Sequence, residues 1–229
     1  MPAVKPLVFM LCLDDEQPWE GLFDNIYTDQ IDSLSSKYRI VRARKPDAAK
    51  RWLANPENKP IAVLITDPGV VQPSNAVVLD LVKAYVQAGG IAVFMANFSS
   101  FMRPEDMDKL WKDQWGLNWK MAAYHRTDLH LNRATPSLSP NSLEPSYSQK
   151  AVFLEGVSPE NALYLPSPQS RTQSLVFPAE PVEQDQTPAA FIKRGNGWLG
   201  YLGDVNNERG TQKVVLEICR FAAYIAGDN

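Results

Sequence analysis

The side chains best suited to chemistry sit where apolar runs end. Asp14 and Asp15 follow LVFMLCL, Asp67 follows IAVLIT, and Asn97, Phe98, Ser99 and Ser100 follow IAVFMA. Asp204, Asn206 and Arg209 follow WLGYLG. His125 and His130 are the 2 histidines of the chain. A serine hydroxyl attacks only when a base takes its proton and fixed donors hold the developing oxyanion. Ser99 or Ser100 would supply that hydroxyl, His125 or Asp204 the base, and Asp14 or Asp15 the group that orients it. Backbone amides after the strand would hold the oxyanion. Such a set suits hydrolysis of a small amide, an ester or a carbohydrate-derived substrate. Without a working base, Asp14, Asp15, Asp67, Asn97, Phe98, Asn206 and Arg209 are instead contacts for a small polar ligand.

Other motifs carry less. GNGWLG (195–200) matches G-x-G-x-x-G but precedes an apolar strand-like run, whereas a dinucleotide fingerprint opens a helix. Gly195-Asn196-Gly197 therefore reads as a hairpin turn. Asn97-Phe98-Ser99 spells a glycosylation sequon at the end of a buried strand, where no glycan fits. In HRTDLH the two histidines fall on opposite faces of a strand, so no metal site is expected, nor any cofactor. Trp111 and Trp115, four apart, and Trp119 read as core packing.

The chain has 229 residues, enough for one large domain, and carries a net charge of −3. No basic excess supports a nucleic-acid partner. The densest basic run, RIVRARK (39–45), reads as a solvated strand edge. No apolar segment reaches the roughly 18 residues of a membrane helix. LVFMLCL is short for a leader core and is followed by Asp14, Asp15 and Glu16. Cys12 and Cys219 both lie in apolar runs, as free buried thiols do. A cytoplasmic protein is the expectation.

These residues need a scaffold that brings strand ends together. LVFMLCL, YRIVRA, IAVLITD and IAVFM read as strands, with helices over 22–36, 47–54, 74–90 and 106–115 between and after them. That alternation predicts an α/β fold: a flavodoxin-like, doubly wound, mostly parallel sheet with helices on both faces. Ligands of such sheets lie at the carboxyl ends of the strands. WKMAAYHRTDLHLN reads as an extended segment, and residues 134–149 as a mobile Ser/Pro-rich loop, a lid or disordered. AVFLEG, ALYLP, SLVFPA, AAFIKR and WLGYLGDV read as short strands of a β-rich insertion or extension, and 210–226 as a final amphipathic helix. One domain over 1–229 is expected.

Three stretches, D67-P-G, AYVQAGGIAVFMANFSS and GNGWLGYLGDVNNERG, give the chain a resemblance to the class I glutamine amidotransferase-like superfamily, ThuA-like branch. The resemblance spans about residues 5–120 and 190–226. It implies a nucleophile elbow after IAVFM and a catalytic His on the late strand. Aligned to Gly-x-Cys-x-Gly, Ala96 to Ser100 fill the elbow with Phe98 at the Cys position, and Asp204 falls near the His. Phe98 cannot attack a carbonyl. The resemblance thus implies an amidotransferase-like domain without the Cys–His pair, a non-catalytic small-molecule-binding or assembly domain. It also implies a homodimer. The hydrolase built on Ser99 or Ser100 is the second expectation.

Overall fold

The computed structural model of the protein describes residues 5–14, 20–134 and 138–227. Its strands are β1 (Leu7–Leu11), β2 (Arg39–Ala43), β3 (Pro60–Ile65), β4 (Ile91–Met95), β5 (Lys120–Leu131), β6 (Ser146–Glu155), β7 (Ala162–Leu165), β8 (Ala189–Arg194) and β9 (Gly197–Leu202). Its helices are α1 (Glu20–Ser35), α2 (Pro46–Ala54), α3 (Ala76–Gln87), α4 (Asn97–Phe101), α5 (Pro104–Lys109) and α6 (Arg209–Gly227). α5 runs on as a π-turn over Leu110–Gln114. All strands join one nine-stranded sheet in the order β2-β1-β3-β4-β9-β8-β7-β5-β6. The first five in that order are parallel, and the remaining pairings are antiparallel.

The inner parallel strands β1, β3 and β4 are apolar without alternation because both of their faces are covered. Phe9, Leu11, Val63, Ile65 and Phe94 pack with residues of α2, α3 and α5. Val8, Met10, Leu64, Val93 and Met95 pack with Tyr27 and Leu34 of α1 and with Val214, Val215 and Ile218 of α6. β2 is the sheet edge, which accounts for its basic, half-exposed RIVRA. β8 and β9 form the hairpin read from GNG.

The β-rich second half crosses the carboxyl end of β9. β6 pairs with β5, and its Val152 amide also donates to the Gly203 carbonyl at 2.9 Å. The Val205 amide donates back to the Lys150 carbonyl at 3.0 Å. Only a glycine permits this approach, since a Cβ on Gly203 would lie 1.9 Å from the Val152 carbonyl oxygen.

Two sequence readings change here. The Ser/Pro-rich segment 134–149 is not one long loop: Ser146 to Gln149 open β6, and Leu138 and Leu143 are buried in the core. These few apolar side chains anchor a stretch whose composition reads as solvated; residues 135–137 lie outside the described residues. SLVFPA (174–179) is not a strand, and its Leu175, Val176 and Phe177 are exposed. No helix among the described residues is long and apolar enough to cross a membrane.

Candidate functional site

The strand order reverses between β1 and β3, so the crevice for a ligand belongs at their carboxyl ends. Asp67 fills it. The residue caps the 3-10 turn Pro68–Val71, and its Oδ1 accepts from the amides of Gly69 (2.9 Å), Leu13 (3.1 Å) and Asp14 (3.2 Å). A protein carboxylate therefore occupies the amide nest that would otherwise receive an anion. The backbones meet closely here: a Cβ on Gly69 would lie 2.3 Å from the Leu13 carbonyl carbon. Burial pushes the Asp67 carboxyl up, while the Cys12 thiol and the amides of Gly69 and Leu13 draw it back down. Asp14 lines a neighbouring cavity of about 500 Å³ with Phe101, Met102, Arg103 and Asp106. Asp15 lies outside the described residues.

Beside Asp67, Arg42 at the end of β2 donates to the Cys12 sulfur at 3.2 Å and lies 3.3 Å over the Phe23 ring. Cys12 is half-buried, and burial pushes its thiol up to about 11, so the thiol stays protonated and sluggish.

β4 ends in a sharp turn into α4. Its strained residue is Ala96, at φ 47° and ψ −105°. A left-handed φ on a residue with a Cβ costs about 1–3 kcal/mol and persists where surroundings impose it. Strand-to-helix elbows hold their nucleophile in such a strained turn. The strained position here is Ala96 rather than Phe98. Phe98 lies two residues on, inside α4 and fully buried, 4.7 Å from the Phe94 ring centroid and 6.4 Å from that of Trp111. It is a core residue and not a ligand contact.

The amide after the elbow residue is the usual oxyanion donor. Here the Asn97 N–H donates to the Tyr27 hydroxyl at 3.2 Å. Tyr27 is fully buried on α1, and its own proton faces the carbonyls of Thr66 (3.0 Å) and Met95 (3.1 Å). Burial holds the phenol well above its ordinary value, so it remains neutral. Nothing in the sequence singles out Tyr27; its position on α1 reads only as a core position. Asn97 is itself buried.

Ser99 is buried, and its hydroxyl donates to the Leu202 carbonyl at 3.3 Å. Ser100 faces out, with its hydroxyl on the Ala96 carbonyl at 3.2 Å. Among the described residues no hydrogen bond joins either serine to His125 or Asp204. His125 sits on β5 opposite Ala151, its ring stacked on Phe153 at 4.5 Å. Burial lowers its pKa, and its Nε2 is buried without a partner.

Asp204 works as a cap. Its Oδ1 accepts from the Asn206 amide (2.9 Å), and its Oδ2 from the Glu208 amide (2.7 Å) and the Thr211 hydroxyl (2.5 Å). Asn206 is exposed with its amide on Glu208 at 3.1 Å, and Arg209 is exposed at the first residue of α6. Burial pushes the Asp204 carboxyl from an ordinary 3.8 up to about 6. A raised carboxyl stabilises the fold below its unfolded value and loses that contribution as pH rises through the folded one. Wild type should therefore lose up to about 3 kcal/mol relative to Asp204→Asn between pH 4 and pH 7, read by denaturant unfolding at each pH. A flat difference would show that Asp204 is charged throughout.

The site residues thus divide into three groups. Asp14, Asp67 and Asn97 gather at adjoining strand ends, while Ser99, Phe98 and Asp204 serve the interior and His125 belongs to the β-rich half. Among the described residues no group of three or more His, Cys, Asp or Glu side chains could hold a metal ion.

No family model and no curated protein matches the sequence. Solved structures do match. A protein from Bacteroides uniformis described as ThuA-like is 11% identical with a TM-score of 0.65, over 97% of this chain and 93% of its own. A second, from Parabacteroides merdae, is 14% identical with a TM-score of 0.56, over 96% and 90%. A β-galactosidase from Bacillus circulans is 12% identical with a TM-score of 0.52, and 94% of this chain corresponds to 31% of that larger one. At these identities the likeness is one of fold, and this chain has the α/β fold of ThuA-like proteins.

Proposed function

We propose that the chain is a non-catalytic, glutamine amidotransferase-like domain with a flavodoxin-like core, serving to bind a small molecule or to assemble with a partner. One observation carries the reading. The strained elbow presents Ala96, which has no nucleophilic atom, and the amide that would hold an oxyanion is spent on the buried Tyr27 hydroxyl. The carboxylate of Asp67 in the crevice between β1 and β3 supports it further. Free Cys12 and Cys219 suit the reducing cytoplasm. Self-association as a homodimer belongs to the same reading, by resemblance.

Intact-mass analysis after exposure of the native protein to a fluorophosphonate, and separately to iodoacetamide, tests it. No serine adduct is expected, and Cys219, whose thiol burial pushes up to about 12, should react only in denaturant. A single stoichiometric adduct on Ser99 or Ser100, lost on denaturation before labelling, would replace this reading with the hydrolase.

A further inference from the structure

The β-rich half carries its own cavity, of about 640 Å³, which shares no lining residue with the cavity at Asp14. Tyr124 and His125 of β5 and Lys150 of β6 line one side, and Leu175 and Phe177 of the segment 172–180 line the other. That segment is built rather than loose. The Thr172 amide donates to the Glu180 carbonyl at 2.8 Å, and the Gln173 amide ties it to the Arg126 carbonyl at 2.8 Å. At its tip the Ser174 hydroxyl oxygen accepts from the amides of Val176 and Phe177, both at 3.1 Å.

Two features mark this cavity for a ligand. Leu175, Val176 and Phe177 are held out at 105%, 81% and 74% exposure, and Leu175 and Phe177 line the cavity with Tyr124, itself 54% exposed. The Lys150 ammonium lies 5.1 Å from the Tyr124 ring centroid and has no carboxylate within ion-pair distance among the described residues. Arg126 differs, being paired with Glu208. A flat apolar body carrying one negative charge would match both. Glu180 also lines the cavity, which favours a monoanion over a polyanion.

We propose that this cavity binds a small planar organic monoanion. Its body lies between Tyr124 and the Leu175–Phe177 tip, and its charge meets Lys150. The inference goes beyond the elbow reading and does not depend on it: the cavity shares no residue with the elbow, so its failure would leave the labelling result intact.

Fluorescence titration with 8-anilinonaphthalene-1-sulfonate, a monoanion built on a flat naphthalene ring, tests the site on the full chain. Saturable one-to-one binding is expected, displaced by 2-naphthoate but not by the neutral 2-naphthalenemethanol. Lys150→Gln and Phe177→Ser, both at exposed positions, should each weaken binding by roughly tenfold, the scale of one good anchor contact. Tyr224→Ser, exposed on α6, should leave it unchanged. Absence of saturable binding, wild-type affinity in both cavity variants, or an equal loss in Tyr224→Ser would overturn the site. Equal displacement by the neutral alcohol would overturn the role of Lys150.

Discussion

Phe98→Ala is expected to lower the unfolding free energy by about 3–5 kcal/mol, the range for a buried aromatic truncated to Ala. Phe98 is fully buried and belongs to an aromatic cluster continued by Phe94 and Trp111. Trp111 in turn contacts Trp119 at 5.2 Å and Tyr201 at 5.7 Å between ring centroids. The rings brace one another, so little collapse into the void is expected and the loss should fall in the upper part of that range. Phe98→Leu keeps most of the volume and should cost about 1.5 kcal/mol. Urea unfolding followed by tryptophan fluorescence reads both. A cost below about 1 kcal/mol for Phe98→Ala would mean that the residue is not a packing element, and would return it to the crevice.

Asp67→Ala should cost about 3 kcal/mol, because it strands the amides of Leu13, Asp14 and Gly69 around one lost acceptor. Asp67→Asn retains an acceptor in the same place and removes a charge that burial opposes, so it should stay within about 1 kcal/mol of wild type. The sign with pH follows from the raised Asp67 carboxyl. Its stabilising contribution is present in acid and lost as pH rises through the folded value, so Asp67→Asn should gain on wild type as pH increases. Thermal unfolding of the three proteins from pH 4 to pH 8 checks this. Equal losses for Ala and Asn at every pH would show that the charge, not the acceptor, holds the two strand ends together.

These two residues also mark the limits of reading the chain without its fold. Continuous apolar runs bounded by Gly, Pro or Asp predict buried strands, and β1, β3, β4 and β9 form there. Helical spacing of Val77, Val78, Leu81, Val82 and Tyr85 likewise predicts α3, although the face it buries is Val78, Leu79, Val82 and Val86 and Val77 is exposed. DPG reads as a turn and is one, with Asp67 as its cap. SLVFPA shows where the rule fails: a short apolar run has strand composition whether or not a partner strand is available, and here Ser174 folds it into an exposed turn.

By itself, then, the sequence determined the α/β alternation, the hairpin at GNG and the strand ends at which Asp14, Asp67, Asn97 and Asp204 stand. Those follow from burial and turn chemistry, which are local. Only the tertiary structure decided what each of them does. The left-handed φ of Ala96 is imposed by packing around the elbow and leaves no mark on residue type. The Tyr27 hydroxyl reaches Asn97 across 70 positions of sequence, and Asp67 reaches Leu13 across 54. His125 is carried into the β-rich half by its pairing with Ala151 and not toward Ser99. Contacts of that range depend on how two layers of helix meet one sheet, and no spacing along the chain specifies them.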